Sequence, residues 1–390
     1  MKRSTDRILT THVGSLARPV ELLDTLKLRE TGEDYDQDLL DRQIREAVAD
    51  RVAHQVENGI DIVTDGEMSK TSFIDYVKDR LGGFEIDTSG ARGMAPTWQA
   101  EYDMFPDYYD GYLKKYSHTV APLKRIKCTG PITYVGQEAL AADIANLKAG
   151  VEAAQANGGQ VTEIFMPAST PGAYGSNEYY DSRDDYLEAI ADAMREEYLG
   201  IVDAGFILQI DDPGLIDTLG DPATDLDERH RQANESIDTL NHALRDIPTD
   251  KIRHHTCYGL NHGPRLTDID LRDAVPFMLR INAGAYSFEV ANPRHQHEWR
   301  IWEDVKLPEG KILIPGLLGH ANNYVEHPQL IAEYIERYAG LVGRENVIAG
   351  ADCGFSSRAS YAPEVHPSVV WPKFHALREG ADLASSHLWS

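Results

Sequence analysis

FILQID (206–211), DERHRQANESIDTLNHALRDI (227–247) and KIRHHTC (251–257) follow one another along the chain. The first and third are short apolar or β-branched runs that read as strands. The second repeats its apolar residues at helical spacing. A strand, a helix and a second strand in that order predict a parallel βαβ unit, because parallel strands need a long crossover between them.

The same alternation extends in both directions. Further strand-like runs are ILTTHV (8–13), DIVTDG (61–66), RIKCTG (125–130), VTEIFM (161–166), AYSFEV (285–290), ILIPGLL (312–318) and NVIAGAD (346–352). Helical patterns cover 38–59, 140–159, 183–205 and 328–343, with Gly59, Gly158, Gly205 and Gly343 where a C-terminal cap falls. Repeated βα units predict a barrel, and nine runs are one too many for eight strands. VTEIFM is the run placed outside or at the margin, since it lies in a long helical stretch and precedes the turn-rich PASTPGAYGSN. Residues 85–122 lack clean periodicity and are rich in Tyr, Asp, Gly and Pro, so they read as an irregular excursion over the barrel mouth, a candidate lid. No linker divides residues 1–390, and a single domain is expected.

Composition excludes several roles. With 38 basic against 63 acidic residues, a net charge of −25 disfavours nucleic acid and anionic membranes. No apolar run approaches the roughly 20 residues needed to span a bilayer. The opening MKRSTDRILTTHVGS lacks the apolar core of a secretory signal. Three cysteines, Cys128, Cys257 and Cys353, do not suit a disulfide scaffold, and a cytoplasmic setting with reduced thiols is expected.

Two of those cysteines stand at strand ends. His255 and Cys257 close KIRHHTC, Glu289 closes YSFE, and Cys353 follows AGAD. Period two puts His255 and Cys257 on one face of their strand, with His254 on the other. A parallel barrel gathers the C-terminal ends of its strands at one rim, so four ligands spread along the chain can meet there. Two thiolates, an imidazole and a carboxylate suit zinc. Glu289, the hardest ligand of the set, is expected to yield its place to a substrate sulfur. Metal coordination deprotonates a bound thiol at neutral pH. The pattern therefore predicts a zinc enzyme that activates a thiol. Taken singly, each residue has a bland reading: a small core cysteine, a satisfied core histidine, a rim carboxylate in a salt bridge.

These segments also resemble the catalytic half of cobalamin-independent methionine synthase and its single-barrel relatives. The resemblance is carried by TTHVGSLARP (10–19), DIVTDGEMSKTSF (61–73), KCTGPITYVG (127–136), LQIDDPGL (208–215), HTCYG (255–259), YSFEVANPR (286–294), IPGLLGH (314–320) and VIAGADCGFSSR (347–358). It implies a TIM (β/α)8 barrel, zinc held by His255, Cys257, Glu289 and Cys353, and methyl transfer from a 5-methyltetrahydrofolate-type donor to homocysteine. It further implies that Ser15, Glu67 and Asp211 hold the amino-acid end of the thiol. His320 would deliver a proton to the leaving group. Asp212 would face away from Asp211 and cap the next turn.

The chain departs from the family in two places. The family's folate-stacking tryptophan falls at about Gln137, and PRHQHEW (293–299) instead resembles the epoxyalkane:coenzyme M transferases. Three rivals remain at this level: a zinc transferase adding a thiol to an epoxide, a non-catalytic zinc-binding barrel, and a metal-free decarboxylase of the same architecture.

Overall fold

The computed structural model describes all residues except 90–92, 117 and 260–261, and the side chains of 115 and 116. Its strands are β1 (Leu9–Thr10), β2 (Ile62–Val63), β3 (Leu81–Ile86), β4 (Ile126–Tyr134), β5 (Glu163–Ser169), β6 (Ser176–Asn177), β7 (Ile207–Asp211), β8 (Ile252–His255), β9 (Ala285–Glu289), β10 (Ile312–Gly316) and β11 (Ile348–Ala349).

A curled parallel sheet runs β2-β5-β7-β8-β9-β10, and β11 pairs with β1. Parallel bridges Leu313–Val347 and Gly316–Gly350 join β10 to β11. On the other side, the Asp61 amide donates to the Thr10 carbonyl (3.1 Å) and the Thr11 hydroxyl to the Ile62 carbonyl (3.1 Å). The ring therefore closes in sequence order as a TIM-type (β/α)8 barrel.

The barrel interior is packed. Leu9, Ile62, Phe165, Ile207, Ala285, Ile312, Ile314 and Ile348 form one buried cluster drawn from seven strands. β8 adds a buried cation: the Arg253 guanidinium lies 3.4 Å from the Phe165 ring centroid and donates to Gln209 (2.7 Å), Thr11 (2.9 Å) and the His12 carbonyl (2.7 Å). A fully satisfied guanidinium tolerates such a position. The second, larger core lies between the strands and the surrounding helices. Gly59, Gly158, Gly205 and Gly343 all take positive φ just past their helices, as their placement predicts.

One strand assignment is corrected. VTEIFM belongs to the barrel: β5 pairs with β2 and β7 and is buried through Phe165–Ser169. RIKCTG is the run outside it. β4 pairs antiparallel with β3 and alternates buried with exposed positions, as one-sided sheets do. Continuous apolarity marked the two-faced barrel strand, and the helical flanks masked it.

The stretch 85–122 includes two short helices, Pro96–Met104 and Pro106–Tyr116. At 9 and 11 residues they are too short for the apolar period to stand out. They rest on the loops after β7 and β8. Thr97 donates to Asp217 (3.2 Å), Tyr108 to the His262 carbonyl (2.7 Å), and the Leu266 amide to Glu101 (2.5 Å).

Candidate metal centre and substrate cavity

Each candidate residue lies at or just beyond the C-terminal end of a barrel strand: Ser15 after β1, Glu67 after β2, Asp211 ending β7, His255 ending β8 with Cys257 beyond, Glu289 ending β9, His320 after β10 and Cys353 after β11. All are buried.

His255, Cys257 and Cys353 converge, with one ligand atom from each within 4.8 Å of the others. The two sulfurs are 3.3 Å apart and both cysteines are free. His255 Nδ1 pairs with the Ser287 hydroxyl at 3.1 Å, whereas Nε2 is buried with no hydrogen-bond partner among the described residues. A proton on Nδ1 donated to Ser287 leaves the Nε2 lone pair available, the arrangement seen in metal-ligating histidines. Burial, with the neighbouring His254 and Arg253, pushes the His255 pKa down to about 3, so the ring is neutral at pH 7. The Cys353 thiol is pushed up by its contact with Cys257 and by burial. Two buried sulfurs and an orphaned imidazole nitrogen are the donor set of a metal ion, and these residues fit one.

Glu289 is not in that group. It forms a second one with His320 and Asp352, again within 4.8 Å. Its carboxylate accepts from the Tyr258 amide (2.8 Å) and Asn292 (3.3 Å) and pairs with Arg265 at 3.5 Å. Burial works to raise its pKa, but Arg265, His320, His295 and the Tyr258 amide outweigh it and keep the group ionised. Asp352 accepts from the amides of Val290, Ala291 and Asn292 at 2.7–2.9 Å, which fixes the loop leaving β9. His320 donates through Nε2 to the Gly259 carbonyl at 3.2 Å, while Nδ1 lacks a partner among the described residues.

Ser15, Glu67 and Asp211 line one small cavity together with His255, Cys257 and Cys353. Glu67 adopts φ 60°, a left-handed conformation, held by Arg18, which donates to its carbonyl (2.7 Å), and by Asp65, which accepts from its amide (2.9 Å). Glu67 Oε2 has no hydrogen-bond partner among the described residues. Burial raises the pKa of Glu67 against the pull of Lys70 and Arg18. Burial and the charge of Glu67 push Asp211 well above the carboxylate range. Two buried carboxyls of this kind call for a cationic partner.

Asp212 faces away, pairing with His254 (3.1 Å) and accepting from the Leu215 amide (3.2 Å). His12 pairs with Gln55 at 2.8 Å, away from the cavity. Gln137 is exposed at the first residue of the helix Gln137–Ala156, donates to the Tyr134 carbonyl (3.0 Å) and does not line the cavity. Phe73 lines the cavity, and Trp98 approaches its wall at Gly259, with Nε1 3.4 Å from where a Cβ on that glycine would stand. Arg265, Ser287, Gly354 and Trp98 escaped the sequence reading. Of these only Gly354, beside Cys353 in DCG, carried a local signal.

No family model matches the chain. Curated relatives do. A methionine synthase of Sulfolobus acidocaldarius is 27% identical over 64% of this chain and 61% of that protein. One of Sulfurisphaera tokodaii is 23% identical over 88% and 85%, and one of Saccharolobus islandicus 22% over 97% and 95%. Among solved structures, a B12-independent methionine synthase from Shewanella sp. W3-18-1, in complex with selenomethionine, superposes with a TM-score of 0.71 at 18% identity, covering 98% of this chain and 99% of that one. A putative vitamin-B12 independent methionine synthase from Listeria monocytogenes gives 0.65 at 19%, covering 97% and 99%. The chain is a relative of the methionine synthases and has the barrel of the B12-independent ones.

Proposed function

We propose that this protein is a zinc-dependent thiol S-methyltransferase that converts homocysteine to methionine with a 5-methyltetrahydrofolate-type donor. One observation carries the reading: the His255–Cys257–Cys353 cluster opens on the same cavity as Ser15, Glu67 and Asp211. The names of the relatives support it.

His255, Cys257 and Cys353 would hold zinc, with Glu289 as the fourth and exchangeable ligand. Bound zinc supplies the positive charge that makes a sulfhydryl a thiolate at neutral pH. Glu67 and Asp211 take the substrate ammonium, which satisfies the orphaned Glu67 oxygen and separates two repelling carboxylates. Ser15 donates to the substrate carboxylate. The reacting sulfur is thereby pointed toward the cluster and away from water, so binding supplies orientation. His320, whose Nδ1 has no hydrogen-bond partner among the described residues, is assigned the relay of the proton lost by the substrate thiol to the departing donor.

The carboxylates in the cavity disfavour an epoxide transferase that would grip a sulfonate, since that partner is anionic. A permanently closed metal store leaves the cavity without a role, and a metal-free decarboxylase leaves the thiols without one. Small molecules are the proposed partners, and the free cysteines agree with a reducing cytoplasm. Among the described residues no helix is long and apolar enough to cross a membrane.

The test is a transfer assay with zinc-loaded protein in which 5-methyltetrahydrofolate or an epoxyalkane is offered to either homocysteine or coenzyme M. Methionine formation with homocysteine alone is expected. Alkylation of coenzyme M by an epoxide, with homocysteine inert, would reverse the assignment.

A further inference from the structure

The PRHQHEW segment has no part in the function above, yet its His295 sits in a buried ladder that ends on Glu289. His295 pairs with Glu298 (2.9 Å) and with Asp268 (3.1 Å). Asp268 takes the Arg265 Nε at 2.7 Å, and the same guanidinium reaches Glu289 at 3.5 Å. Tyr258 stacks on His295 with centroids 3.9 Å apart. Burial opposes charge on His295, but its bonds to Asp268 and Glu298 outweigh it and push its pKa up to about 9. Charges therefore alternate along the ladder. Arg265 is 4% exposed and holds φ 61°, a left-handed backbone that a non-glycine residue keeps only when its surroundings impose it. Its planar fork is suited to spanning two carboxylates, which a single ammonium is not.

We propose that Arg265, clamped by Asp268, which His295 holds in turn, is a positioning residue that draws Glu289 away from the His255–Cys257–Cys353 cluster and so keeps one coordination place open to an incoming thiol. The inference rests on the metal reading above. Its physical content is a competition: the same carboxylate can neutralise the guanidinium or ligate the metal, and the ladder biases it toward the first.

The test is zinc affinity by chelator competition, with the absorption spectrum of the cobalt(II)-loaded protein, on the full chain and on R265K, E289Q and the double variant. R265K keeps the charge and loses the fork. It is expected to bind zinc roughly tenfold tighter, on the scale of outer-shell effects at metal sites, and to shift the cobalt spectrum. The gain is expected to vanish in the E289Q background, as coupled residues require. Unchanged affinity in R265K, or an equal gain with Gln at position 289, overturns the proposal. Should R265K not fold, Asp268→Asn serves: releasing the clamp on Arg265 lets Glu289 turn to the metal and tightens zinc binding, and no change or weaker binding counts against the idea. If the unaltered protein itself binds no zinc, it is the metal reading that fails.

Discussion

Gly354→Ala is a sharp probe of the amino-acid end of the cavity. A Cβ at position 354 would lie 1.9 Å from Ser15 Oγ and 3.0 Å from Ser357 Oγ. Ordinary contact needs about 3.5 Å, so the overlap with Ser15 exceeds about 1 Å and cannot be absorbed in a packed interior. The cheapest relief is rotation of the Ser15 hydroxyl out of its place beside Ser357, where the two oxygens are 3.3 Å apart. A hydrogen bond to a charged group contributes about 1.5–3 kcal/mol. Losing one to the substrate carboxylate should raise the KM for homocysteine about 10- to 150-fold, at 1.4 kcal/mol per tenfold. Zinc content should not change, because the Cys353 sulfur is not displaced. The assay is steady-state kinetics against homocysteine on Gly354→Ala, Ser15→Ala and the double variant. Both single changes should cost the same, and together no more than either alone. An unchanged KM in Gly354→Ala, or additive losses in the double variant, would refute the reasoning.

Ser287→Ala removes the partner that fixes the His255 ring, and zinc affinity should fall about 10- to 100-fold by chelator competition; an unchanged affinity would argue that another group orients the imidazole. Asp211→Asn should stabilise the substrate-free protein. Its carboxyl has a raised folded-state pKa, so its stabilising contribution is complete below the unfolded pKa and is lost as pH rises through the folded one. The gain in melting temperature should therefore be larger at pH 8 than at pH 5, with homocysteine binding lost. A variant less stable at pH 8 would contradict the like-charge reading of Asp211 and Glu67. Trp98→Ala should raise the KM for the methyl donor roughly 3- to 10-fold while leaving homocysteine binding alone, in line with the 0.5–1.5 kcal/mol of an aromatic contact; a change confined to homocysteine would place Trp98 on the other substrate.

The barrel was legible because its logic is periodic. Strand runs such as FILQID and KIRHHTC alternate with helical stretches, and the residue that ends each strand is the residue that reaches the rim. His255, Cys257 and Cys353 could be brought together on that argument alone, since a parallel barrel turns sequence separation into adjacency. Strand membership was not legible where flanking helices hid it: Glu163–Ser169 and Ile126–Tyr134 exchanged places. The position of Glu289 lay beyond the sequence for a different reason. Period and strand end put it at the rim, but its carboxylate is held by the Tyr258 amide, Asn292 and Arg265, which come from irregular loops with no period to read. Ser287 was hidden because a hydroxyl next to an imidazole is visible only once β8 and β9 pair in register. Ser15, Glu67 and Asp211 were reached through family resemblance, and the cavity they share is a property of the closed ring.

The central claim is that one zinc ion sits on His255, Cys257 and Cys353. X-ray absorption at the zinc edge of the purified protein, with metal quantified per chain, tests it most directly. The account predicts one zinc per chain, a first shell with two sulfurs at about 2.3 Å and lighter N or O donors, and one sulfur fewer in Cys353→Ser. Protein without stoichiometric zinc, or a first shell free of sulfur, would contradict it.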